Sequence, residues 1–160
     1  MFKPSRKSIT GAVPSRRRTY FVTSKTDRGR MLLQTERMAN LLIDVMRVST
    51  RKGKFLVREF VVMRNHFHLL LTVGAAMTIE RAVQLIQGNF SFRAERELGF
   101  QWEIWQRGFS DVRVINRASY ERYVKYIYDN PVKAGYARSA EEYPYCSAYF
   151  RRLKRERGKT

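Results

Sequence analysis

The chain has 160 residues, 44% of them hydrophobic, which fits one domain with a true core. Its 32 Lys and Arg against 14 Asp and Glu leave a net charge of +18, an excess that repels itself and points to an anionic partner, nucleic acid before an anionic membrane surface. One cysteine, Cys146, excludes an internal disulfide, no apolar run approaches the ~20 residues of a membrane span, and the N-terminus lacks a secretory apolar core.

The charge is uneven. Residues 1–18 hold Lys3, Arg6, Lys7, Arg16, Arg17 and Arg18 without an acid. Residues 151–160 hold Arg151, Arg152, Lys154, Arg155, Arg157 and Lys159 against Glu156. We expect two basic tails, 1–18 and 151–160, around a domain at 19–150. Such tails suit sequence-blind contacts to a phosphate backbone.

In chain order, Thr19–Thr23 is rich in β-formers and predicts a first strand. Thr35 can cap a helix to about Ser49, with Met38, Leu41, Leu42, Val45 and Met46 on one stripe. Phe55–Met63 and His66–Val73 predict a hairpin around Arg64-Asn65. Thr78 can cap a second helix, which the Gln87-Gly88-Asn89 stretch can kink and which Leu98-Gly99 stops. An aromatic loop, Trp102–Phe109, leads to a fourth strand at Asp111–Ile115. A third helix is expected over Ala118–Asn130, closed by Pro131. The order β-α-β-β-α-β-α is an α+β, ferredoxin-like plan with an added helix.

Two histidines occur, His66 and His68, two apart on the third strand. Alternation places them on one face with Leu70, while Phe67, Leu69 and Leu71 form an apolar row on the other. The apolar row is the expected core side, which leaves the histidine face free to point elsewhere. Two imidazoles on one face can share a metal ion. On the third helix Tyr120, Val124, Ile127 and Tyr128 make the apolar stripe. Tyr126 lies off it, with Arg122 at i−4 and Asn130 at i+4. Trp102, Trp105, Phe109 and Phe92 are available for base stacking, though Phe92 is expected in the core.

Val62-Met-Arg-Asn-His66-Phe-His68-Leu-Leu70 resembles the histidine–hydrophobic–histidine signature of single-tyrosine HUH transposases. Trp105-Gln-Arg-Gly-Phe109, Tyr126-Ile-Tyr-Asp-Asn-Pro-Val-Lys-Ala-Gly135 and Glu142-Tyr-Pro-Tyr-Cys-Ser147 are similar to later blocks of the REP-associated tyrosine transposases. The resemblance implies a bacterial cytoplasmic, nucleoid-associated enzyme that cuts and rejoins single-stranded DNA beside REP-type hairpins. It assigns His66 and His68 to a divalent metal, Mg²⁺ or Mn²⁺. Tyr126 becomes the nucleophile that leaves a 5′-phosphotyrosine, and Asn130 the position of a third ligand. Arg16, Arg17, Arg18, Trp105, Arg107, Arg122, Arg151, Arg152 and Lys154 are the expected DNA contacts. A monomer is expected, with a dimer as the alternative. Two positions depart from the family: Arg64 stands where proline is frequent, and Val112 where many members carry a histidine. The alternative reading is a non-catalytic nucleic-acid-binding module on the same fold. A hydrolytic metallonuclease is a third.

Overall fold

A computed structural model describes residues 16–159, so most of the expected N-terminal tail lies outside the described residues. Four strands, β1 (Arg18–Lys25), β2 (Leu56–Val62), β3 (His66–Val73) and β4 (Ser110–Val114), form one antiparallel sheet in the order β2-β3-β1-β4. Helices α1 (Glu36–Arg51) and α2 (Ile79–Leu98) connect them in the ferredoxin-like manner. Helices α3 (Arg117–Lys133) and α4 (Ser147–Gly158) follow.

The helix starts are chemically specified. The Thr35 and Thr78 hydroxyls accept the backbone N–H groups of Met38 and Arg81, each satisfying a donor the first turn leaves open. Helix α3 begins at Arg117, one residue before the expected start, and Asn116 caps it in a reciprocal box with Ser119. Gly99 ends α2 with φ at 72°, a left-handed conformation that glycine adopts without a Cβ penalty. Helix α2 runs unbroken through Gly88.

Two further boundaries differ from expectation. Helix α3 passes through Pro131 and ends at Lys133, because proline in the last turn forfeits only the bond to the Ile127 carbonyl and the Ala134 N–H still reaches Asn130 O at 3.1 Å. The C-terminal basic run is not a separate tail: α4 begins inside the expected domain and carries it as helix to Gly158.

The two faces of the sheet are covered differently. On the first face Tyr20, Val22, Phe67, Leu69, Leu71 and Val73 pack beneath α1 and α2 in the main core. On the second, Val61, Leu70, Ile127, Tyr143 and Cys146 form a smaller core under α3 and the segment leading to α4. That segment runs along the end of β2, where Val62 N–H donates to Tyr145 O and Tyr143 O–H donates to Val62 O, both at 2.8 Å. The histidine face is therefore not free: α3 covers it, and His68 is only 4% exposed.

One charged group joins these elements. Glu59 sits buried on β2 and accepts from Tyr128 O–H (2.8 Å), Ser147 O–H (2.7 Å) and Arg151 Nη2 (2.6 Å). A buried carboxylate needs such partners to offset its lost hydration. The result ties α3 and α4 to β2 and fixes the rotation of α3 about its axis.

Candidate active site

The site lies where the second face opens to solvent. Register pairs Thr23 with His68 and Lys25 with His66 across the β1–β3 ladder. The His66 and His68 rings are 4.9 Å apart between centroids. Helix α3 brings the Tyr126 ring to 5.2 Å from His68 and 5.7 Å from Phe21, edge to face in each case. Phe21 stacks on His68 and on Tyr123, so it seats the imidazole and the helix together. Tyr126 keeps 49% of its surface exposed, which leaves the phenol open to a macromolecular substrate.

Each imidazole has its Nδ1 engaged. Asn65 donates through Nδ2 to Gly29 O at 3.3 Å, which turns its Oδ1 toward His66 Nδ1 at 2.8 Å. That oxygen only accepts, so Nδ1 carries the proton and Nε2 keeps its lone pair. Thr23 Oγ1 lies 2.9 Å from His68 Nδ1 and can accept in the same way. Burial, then the charge of Lys25, holds His66 below its ordinary range. Burial, then His66, then Lys25, bring His68 down to about 3. Two neutral rings, His66 with its Nε2 lone pair kept and His68 able to take the same tautomer against Thr23, are a donor pair that fits a divalent transition ion.

No cluster of three or more His, Cys, Asp or Glu side chains exists among the described residues, so a third protein donor would have to be a neutral group. Asn130 lies one turn beyond Tyr126 on α3, and its Nδ2 is 3.5 Å from Tyr126 O, the outer limit of a hydrogen bond. The amide is thus held only loosely by its own helix.

The expected DNA contacts divide into two groups. Arg16, Arg17, Arg107, Arg122 and Lys154 are exposed, and Arg122 stands one turn before Tyr126. Arg18, Arg151 and Arg152 are instead engaged inside the molecule. Arg18 donates to Gly74 O and Met77 O, Arg151 to Glu59, and Arg152 to Glu141 O and Glu156.

Two of the aromatic side chains, Trp105 and Phe92, sit otherwise than expected, while Trp102 is exposed as expected. Trp105 packs against Phe67 and Phe90, and its indole N–H donates to Gln87 O at 3.1 Å, so the ring is held against the core. Phe92 is 60% exposed and Trp102 66%. Arg64, at the family's proline position, lays its guanidinium over the Tyr136 ring at 4.1 Å. Val112 pairs with Phe21, so a histidine there would face the same side of the sheet as His68.

Sequence reasoning missed Thr23, Lys25, Asn65 and Glu59. Asn65 adjoins the histidines and was in reach of a search for neighbours able to orient a ring. The other three acquire their partners only through strand register and helix docking.

The model of the family described as "Transposase IS200 like" matches residues 15–130, more than half of the chain. A REP-associated tyrosine transposase of Escherichia coli K12 is 28% identical over 135 residues, covering 79% of this chain and 74% of its own. The structure of a REP-associated tyrosine transposase bound to a REP hairpin superposes with a TM-score of 0.68 at 25% identity, covering 82% of this chain and 77% of that one. A candidate transposase from Deinococcus radiodurans shares the fold, with a TM-score of 0.53 at 21% identity over 73% of this chain and 94% of its own. Together with the histidine pair and the tyrosine helix, these matches show that the chain belongs to the IS200-like transposase family.

Proposed function

We propose that the protein is a metal-dependent tyrosine transposase that cuts and rejoins single-stranded DNA beside hairpin-forming, REP-like sequences. The observation that carries this reading is the half-exposed Tyr126 ring against His68, beside two imidazoles whose Nδ1 atoms are both engaged. The similar protein bound to a REP hairpin supports the choice of substrate.

His66 and His68 would hold the ion, Mn²⁺ or Mg²⁺, through Nε2, with Asn130 the candidate third ligand. Such an ion, when bound, supplies Lewis-acid stabilisation of charge on the scissile phosphate. The Tyr126 oxygen attacks phosphorus, the bond from phosphorus to the 3′ oxygen breaks, and a 5′-phosphotyrosine forms. The phenol proton passes to solvent, and the departing 3′ oxygen takes up a proton. The phosphodiester energy stays in the covalent link, so a 3′-hydroxyl can reverse the step. Arg122 stands one turn before Tyr126 on α3 and is exposed, which makes it a candidate phosphate contact. One tyrosine cuts one strand at a time, which suits a monomer on a single-stranded substrate.

The test is a hairpin-tailed oligonucleotide incubated with the protein and Mn²⁺, read as a covalent adduct on a denaturing gel. Wild type should form the adduct and Tyr126→Phe should not. No adduct with wild type, or one that survives in Tyr126→Phe, would contradict the proposal. Cleavage without an adduct would identify a hydrolytic metallonuclease, and binding without cleavage a passive module.

A further inference from the structure

Lys25 ends β1 as the ladder partner of His66. Strand alternation places it on the face of Thr23, whose hydroxyl contacts His68 Nδ1. Its charge reaches both imidazoles. The side chain is exposed, and among the described residues no carboxylate forms an ion pair with it. Asp27, two residues on, is taken by Arg28 and Arg30. Lys25 is therefore an unneutralised cation at the rim of the histidine pair.

The candidate ligands His66, His68 and Asn130 are all neutral, and no carboxylate cluster lies among the described residues. A divalent ion seated there would create three positive charges without a protein counter-charge. Two facts follow from Coulomb's law. The ammonium opposes the ion when the site holds no DNA, and both cations attract the same phosphate when it arrives.

We infer that Lys25 makes the site a joint receptor for a divalent ion and a phosphodiester, its ammonium binding a non-bridging oxygen of the scissile phosphate and holding that phosphate against the ion. Lys25 thus acts both as a phosphate ligand and as a brake on metal loading without DNA. The inference rests on His66 and His68 being the metal ligands.

The test measures free Mn²⁺ by electron paramagnetic resonance, using full-length Tyr126→Phe protein so that DNA is bound and not cut. The titration is run with and without a hairpin-tailed oligonucleotide. The parent should bind Mn²⁺ more tightly with DNA than without. Adding Lys25→Met should raise the DNA-free Mn²⁺ affinity by about three- to tenfold and shrink the DNA-induced gain by a similar factor. Lys25→Arg should restore most of the gain. By reciprocity, the Mn²⁺-induced tightening of DNA binding must fall by the same factor in Lys25→Met.

If Lys25→Met leaves the gain unchanged, or weakens DNA equally with and without Mn²⁺, Lys25 is an ordinary backbone contact and the inference is overturned. His68→Ala separates this failure from that of the underlying reading. If His68→Ala binds Mn²⁺ as the parent does, the metal assignment itself falls. If His68→Ala abolishes binding, the Lys25→Met result judges the inference alone.

Discussion

The two faces of the sheet obey different rules. Beneath α1 and α2 the sheet is mainly apolar: Val22, Phe67, Leu69, Leu71 and Val73 are fully buried in one cluster, and the buried Ser24 hydroxyl there accepts from Gln87 of α2. Beneath α3 the core is smaller and carries polar groups. Glu59 is buried there among hydroxyls and a guanidinium, and the edge opens at His66 and Tyr126, beside the buried His68. The first face supplies stability through packing. The second gives up some burial so that a helix can present a phenol beside two imidazoles.

Breaking the second face at its open edge should give the largest effect. Tyr126→Phe should remove adduct formation, with a fall of at least about 1,000-fold, since the nucleophile is lost. Its melting temperature should stay within about 2 °C of wild type, because the residue is half exposed. His68→Ala should lower Mn²⁺ binding beyond detection in the same titration used for Lys25. Asn65→Ala should weaken Mn²⁺ binding by about 10-fold or more, because His66 loses the acceptor that fixes its tautomer.

Breaking the first face should act only through folding. Phe67→Ala should cost about 3–5 kcal/mol in urea denaturation, from lost burial and the cavity left between β3 and Trp105. Mn²⁺ affinity of the folded fraction should be unchanged. A loss of Mn²⁺ affinity in protein that remains folded would show that the two faces are not independent.

Glu59→Gln lies between the two cases. The amide keeps the shape but leaves Arg151 without its anion and loses one acceptor, so a cost of about 1–3 kcal/mol is expected. Adduct formation should slow by more than stability explains, because Tyr128, two residues from Tyr126, is then held less firmly. Equal adduct rates in fully folded Glu59→Gln would mean that α3 is positioned by Ile127 and Phe21 alone. The smallest effect is expected at Trp102→Ala, where the melting temperature should barely move, in contrast with a clear drop for Trp105→Ala, whose partly buried ring packs on the core.

Much of this division was legible in the sequence. The alternation in His66–Val73 separated the apolar row from the histidines, and the 3.6-residue period of α3 set Tyr126 apart from the Ile127 stripe. The Thr35 and Thr78 caps were readable because capping is local chemistry. What was hidden depended on distant partners. Strand register brings Thr23 and Lys25 to the histidines, and helix docking gives Glu59 its four-group cluster; neither has a local signature. Pro131 misled because the rule that proline stops a helix is weaker in the last turn, where few hydrogen bonds remain to be lost. Phe92 and Trp105 were reversed for a similar reason. The loop after α2 folds Trp105 onto the core, while Phe92 lies on the outer side of α2.

The most direct measurement is mass spectrometry of the trypsin-digested DNA adduct formed with Mn²⁺. Cleavage after Lys125 and Lys133 releases a peptide containing both Tyr126 and Tyr128. A nucleotide joined through its 5′-phosphate to Tyr126 is the predicted result. A nucleotide on Tyr128 or on any other residue, or cleaved DNA with no modified peptide, would contradict the account.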